Sequence, residues 1–179
     1  MKLKKILVIV LTIVLTIVLT TGCSNIVSSS TPTSTVENFL GKYQKMDSEV
    51  LRQLDLMLDT KSDYSDENKK EYKALMIKQY QNLSYKIVDE KKEDDNATID
   101  VEIEVFDYKT AAIKANDYYQ THKDELKDET VIDYQIKQMK DVTEKAVYPI
   151  TFNLTKDEDN KWKLDNISDI DRQKIHGLY

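Results

Sequence analysis

The chain has 179 residues, with 26 Lys and Arg against 32 Asp and Glu and a formal charge of −6. An acidic body of this kind is repelled by nucleic acid, by anionic headgroups and by wall polyanions, so no nucleic-acid partner is expected. A single cysteine, Cys23, excludes an internal disulfide, and two histidines, His122 and His176, leave little material for a nucleophile and its base.

The chain opens on Lys2, Lys4 and Lys5, followed by an uncharged run of Ile, Leu, Val and Thr from Ile6 to Gly22. A positive n-region, an apolar h-region and a small-residue cleavage site describe an export signal. The run is about 17 residues against the ~20 of a comfortable membrane span, and it ends on a cysteine rather than a cationic stop. Thr20-Thr21-Gly22-Cys23 resembles the lipobox of bacterial lipoproteins, with Leu19 one place further upstream than that family usually has it. The resemblance implies cleavage between Gly22 and Cys23 and a diacylglycerol on the Cys23 thiol. It also implies a domain held at the outer face of the cell membrane. At ~0.8 kcal/mol per buried methylene, a second acyl chain turns marginal binding into lasting attachment. Loss of residues 1–22 would leave 157 residues, one ordinary domain, with 23 basic and 32 acidic residues and a charge of −9.

Residues 24–35 read SNIVSSSTPTST, a composition that cannot bury enough apolar surface to order itself. Residues 23–33 are therefore expected to form a lipidated tether, with a coil reach of about 20 Å, and the folded domain is expected over 34–179. Ser34-Thr35-Val36-Glu37 reads as a capping box, with Val36, Phe39, Leu40 and Tyr43 behind it at helical spacing. Asp47-Ser48 offers a fresh cap for a stripe of Val50, Leu51, Leu54 and Leu58, either as a second helix or as the continuation of one kinked helix. After a polar loop, Tyr72, Leu75, Met76, Tyr80 and Leu83 mark a further helix.

The period then changes to two. Tyr85 and Ile87 open a short strand, KKEDDN reads as a polar turn, and ATIDVEIEVFD alternates Ile99, Val101, Ile103 and Val105 with polar residues. Helical segments are expected over 110–126, with Ala112, Ala115 and Tyr119 on one face, and over 129–146, with Ile132, Ile136, Met139 and Val142. A second hairpin closes the fold: Tyr148, Ile150, Phe152 and Leu154 alternate, KDEDN turns, and Trp162 and Leu164 return. Pro149 suits a sheet edge or a first strand position. The tail from Asp169 carries Ile175, Leu178 and Tyr179, enough apolar surface either to dock or to fray.

Helices, hairpin, helices, hairpin is an α+β order: a curved four-stranded antiparallel sheet with helices on its concave face, preceded by a lipoprotein signal peptide. Over about 34–168 the VENFL helix, the ATIDVEIEV strand and the closing YPITFNLTKDEDNKWKLDNIS resemble the NTF2-like, cystatin-like superfamily. More closely, they resemble Gram-positive lipoproteins that join a lipobox to such a domain. That superfamily is functionally diverse, and the long paired helices between the hairpins depart from its compact cone.

No spacing singles out a catalytic site, a metal site or a cofactor. His122 sits in the polar QTHKDE and His176 in the tail, and both read as surface residues. Tyr43, Tyr72, Tyr80, Tyr85 and Tyr119 fall on apolar faces, where a tyrosine is ordinarily core. The turn from Asp157 to Lys161 fails as a calcium loop, because Trp162 stands at the glycine position and Ser168 at the twelfth. Asp100, Glu102 and Glu104 form an acidic ladder on a solvated strand face. The expectation is a non-enzymatic envelope module that is anchored through Cys23 and binds a protein or small ligand through the sheet or a pocket beneath it. The alternative is a small NTF2-like isomerase or hydrolase with a Tyr/Asp pocket.

Overall fold

The computed structural model describes residues 30–179, so the expected leader, with Gly22 and Cys23, lies outside the described residues. Ten elements follow: helices α1 (Pro32–Gln44), α2 (Ser48–Asp59) and α3 (Asp66–Gln81), strands β1 (Ser84–Glu93) and β2 (Asn96–Phe106), helices α4 (Tyr108–Thr121) and α5 (Val131–Lys140), strands β3 (Lys145–Lys156) and β4 (Trp162–Leu164), and a short closing helix α6 (Asp169–Ile175). The fold is α+β: six helices among the described residues and one open antiparallel sheet in the order β1-β2-β3-β4.

The sheet is built around β2. Its alternation places Ala97, Ile99, Val101, Ile103 and Val105 inward, each at most 4% exposed, and leaves the acidic positions on the other face. Ile99 stands opposite Phe152, Val101 opposite Ile150 and Ile103 opposite Tyr148, so β2 and β3 present one continuous apolar surface. Helix α1 lies on that surface through Val36 and Leu40, and Phe39 meets Phe152 edge-on at 5.8 Å. Met76 and Tyr80 of α3, Ile136 of α5 and Ile175 of α6 complete the core.

Several boundaries differ from the expected ones, each for a local reason. Helix α1 starts at Pro32 rather than Ser34: the capping box is Thr31 with Ser34, and the fixed φ of a proline suits the first helical position. Pro32 is buried, and the Trp162 N–H donates to the Ser30 hydroxyl at 3.3 Å, so the last residues of the expected tether belong to the fold. Met46, at φ 57°, separates α1 from α2, and Asp47 caps α2; two helices, rather than one kinked helix, are the result. Most of KKEDDN is strand, because Lys91, Lys92 and Glu93 pair with Thr98, Ala97 and Asn96 and only Asp94 and Asp95 turn. Helix α4 ends at Thr121, capped by His122, and α5 at Lys140, capped by Asp141, both shorter than expected. Lys145 and Ala146 are drawn instead into pairing with Phe106 and Val105. Pro149 lies within β3 on the stretch that β4 does not cover, an edge position where a missing N–H costs nothing. The long edge of β1 carries Lys86, Lys91 and Lys92 and is bent by an irregularity between Ile87 and Asp89, both of which discourage pairing with another strand.

The tail docks. Ile175 is fully buried, and Gly177 takes φ +69°, which favours glycine, while its carbonyl accepts from the Lys109 N–H at 2.8 Å. Gln79, fully buried on α3, ties this end down: its amide donates to Phe106 O at 2.9 Å and His176 O at 3.0 Å, and its carbonyl accepts from Phe106 N–H at 2.8 Å. A second polar tie links two helix starts. Asn68 completes the capping box of α3 with Ser65 and donates at 2.6 Å to Asp133, which completes the box of α5 with Thr130. Among the described residues no helix is long and apolar enough to cross a membrane.

Candidate functional site

Four helices meet around a cleft of about 290 Å³. The stripe of α1 that buries Val36 and Leu40 ends in Tyr43, α2 contributes Val50, Leu54 and Met57, and the stripe of α3 that buries Tyr72 and Met76 ends in Tyr80. Helix α6 closes the fourth side with Asp169, Arg172 and His176, which share one face by their i, i+3, i+7 spacing. The Gln79 clasp holds the α6 backbone at His176 and therefore sets the position of this wall.

The polar lining is unusual in its chemistry. Tyr43 and Tyr80 are 7% and 2% exposed and meet edge-on with ring centroids 5.0 Å apart, and the His176 ring stands 5.6 Å from Tyr80. Among the described residues neither phenol hydroxyl has a hydrogen-bond partner. The one sealed and unpartnered side-chain atom among the described residues is Glu129 Oε2, so neither hydroxyl is sealed off, and both tyrosines line the cleft. Burial pushes the Tyr80 phenol well up, with Tyr43 and Tyr72 adding to it, and burial raises Tyr43, which the Arg172 charge pulls partly back. Burial and then the Arg172 charge hold His176 down to about 4. The cleft therefore presents two protonated phenols and a neutral imidazole, with exposed Arg172, Asp169, Gln53 and Gln173 also in its lining. Arg172 reaches Asp169 only through Nε, at 3.4 Å, and the Asp169 side chain is 94% exposed.

The structure brings together Tyr43 and Tyr80 of the tyrosines singled out in the sequence and scatters the others. Tyr72 packs on Tyr64, Tyr85 is half-buried on β1, and Tyr119 donates to Glu129 O at 2.8 Å. Tyr108, fully buried with its hydroxyl 3.4 Å from Leu75 O, is a core tyrosine the periodicity did not reveal. The expected surface position of His176 is corrected: it lines the cleft because α6 docks. His122 does lie at the surface, stacked on Tyr118 at 3.9 Å. Arg172 had a signal in the sequence, being one of only two arginines beside 24 lysines.

The remaining sequence candidates are engaged elsewhere. Asp157 caps its own turn by accepting from the Asp159 and Lys161 N–H groups, with Asn160 at φ 61°. Asp100 accepts from the Thr151 hydroxyl at 2.6 Å, Glu104 pairs with Lys145 at 2.8 Å, and Glu102 stands opposite Lys86, so the acidic ladder is largely compensated across the strands. Among the described residues no three His, Cys, Asp or Glu side chains are grouped to hold a metal ion. A wider groove of about 540 Å³ runs between α4 and α5, but Lys114, Asp141 and Glu144 in its lining are exposed to solvent.

No family model matches the chain, and comparison with curated proteins and with solved structures finds no match.

Proposed function

We propose that the chain is an extracytoplasmic lipoprotein, anchored through acyl chains on Cys23, whose domain binds a small ligand in the tyrosine cleft without transforming it. The observation that supports binding over chemistry is that the one carboxylate in the lining, Asp169, is almost fully exposed rather than shielded for proton transfer. At about 290 Å³ the cleft lies just below the ~300–1,000 Å³ typical of small-molecule sites. The NTF2-like assignment is proposed with it, on the support of one antiparallel sheet whose apolar face carries the helices. The sheet is open and the cleft lies between helices, away from the space beneath the sheet.

The alternative, an isomerase or hydrolase working from a tyrosine and an aspartate, needs a carboxylate shielded for proton transfer. Asp169, the carboxylate in the lining, is almost fully solvated, which favours the binding reading.

Two measurements test the proposal. Intact mass of the membrane-extracted protein is expected to show loss of residues 1–22 and acylation at Cys23, and Cys23→Ala is expected to release or block the chain. A full-length mass with a bare thiol contradicts the anchor. For the cleft, Leu54→Trp is expected to fill the site and abolish thermal stabilisation by any small molecule that stabilises the unmodified chain. Unchanged stabilisation in that variant contradicts the site.

A further inference from the structure

We propose that the cleft takes a small organic acid, its carboxylate bound by Arg172 with Tyr43 and Tyr80 donating to it, and its apolar body packed on Val50, Leu54 and Met57. This rests on reading the cleft as a binding site and adds the chemical class of what fills it.

The buried hydroxyls of the lining are donors, while the acceptors that also border it, the Asp169 carboxylate and the Gln53 and Gln173 amides, are exposed to solvent. Two buried phenols keep their protons and have no partner among the described residues, and a phenol in that state gains most from an oxygen acceptor. Arg172 is the one cation of the lining, and its only side-chain hydrogen bond among the described residues is the 3.4 Å contact of Nε with Asp169. The terminal nitrogens, the pair that grips a carboxylate in parallel, have no acceptor there. The other arginine, Arg52, contrasts with it, spending both Nε and a terminal nitrogen on Glu49 at 2.8 and 2.5 Å.

The Arg172 charge is felt by both Tyr43 and His176, and its half-exposed side chain, offset on one side by Asp169, leaves its terminal nitrogens free for an anion entering from solvent. The imidazole, neutral in the empty cleft, is then the group that records occupancy, because an added negative charge beside it favours its protonated form. The α2 wall carries Val50, Leu54 and Met57, of which Val50 and Leu54 are buried, beside the exposed Gln53, and its apolar part suits a hydrocarbon or aromatic body.

The test uses the full-length chain in detergent micelles, titrated with benzoate and 4-methylpentanoate and with the matching amides, benzamide and 4-methylpentanamide. Saturable binding of at least one acid is expected, with its amide weaker. Arg172→Gln is expected to weaken the acid about tenfold or more, and Arg52→Gln to leave it unchanged. Arg172→Lys keeps the charge and is expected to fall between wild type and Arg172→Gln, which separates loss of the fork from loss of the fold. Bound acid is also expected to move the His176 titration midpoint upward. No saturable binding of either acid up to about 10 mM, or acid binding that survives Arg172→Gln, overturns the proposal. If the amides bind and Leu54→Trp abolishes that binding, the carboxylate assignment falls while the cleft remains a binding site. If neither acids nor amides bind, both readings fall.

Discussion

Replacing Gln79 with leucine keeps the side-chain volume and removes three hydrogen bonds at once, to Phe106 O, His176 O and Phe106 N–H, all between 2.8 and 3.0 Å. Gln79 is fully buried, so the backbone groups it leaves have poor access to water. With each bond worth about 1 kcal/mol net, and a buried unpaired group costing about 1–3 kcal/mol, a loss of about 3–4 kcal/mol is expected. For a domain of this size that corresponds to a fall in Tm of about 10 °C. Urea unfolding followed by circular dichroism gives the free energy. Hydrogen exchange locates it, since the Lys109 N–H bonded to Gly177 O should lose protection before β2 does. A cost below about 0.5 kcal/mol, or uniform loss of protection across the sheet, would refute the clasp as what seats α6 and with it the His176 wall of the cleft.

Gly177→Ala is expected to be at least as damaging, because an added Cβ would stand 2.1 Å from Phe106 O and 2.2 Å from the Gln79 amide at a φ of +69°, and chemical denaturation of the variant checks it. His176 makes stability depend on pH. With a folded value of about 4 against an ordinary 6.5, its neutral form contributes stability that is complete above about 6.5 and lost as pH falls through 4. The loss amounts to at most about 3 kcal/mol. Tyr43, Tyr80, Arg172 and Asp169 face it. The comparison is with His176→Gln, whose stability between pH 4 and 6.5 should fall less steeply than that of the unmodified chain. Ile103→Ala removes a fully buried side chain at the centre of β2 and is expected to cost about 3 kcal/mol by thermal unfolding; less than 1 kcal/mol would mean the sheet face is loosely packed.

Much of the architecture was legible because periodicity reports burial. The alternation of Ile99, Val101, Ile103 and Val105 and the stripes through Leu40, Leu54 and Tyr80 reappear as the core residues they implied. Ends were less legible, because they are decided by caps and pairing partners distant in sequence. Ser34 resembles a cap as well as Thr31 does, and nothing local tells Lys91 that Thr98 will lie beside it. The cleft was only half legible. Tyr43 and Tyr80 could be read as apolar-face tyrosines, but the wall beside them, with Arg172 and His176, exists only when α6 docks. That docking depends on Gln79, a glutamine on a buried helix face that polarity alone would assign to solvent. Asp169, Arg172 and His176 carry a helical spacing, yet a seven-residue tail helix has too short a stripe to show which way it faces.

The most direct measurement of the central claim is ring-labelled NMR of the chain's eleven tyrosines during titration with benzoate. The account predicts shifts confined to Tyr43 and Tyr80, with Tyr72 and Tyr108 unmoved. Shifts spread evenly over the tyrosines, or two cleft phenols that ignore the acid at saturation, would contradict it.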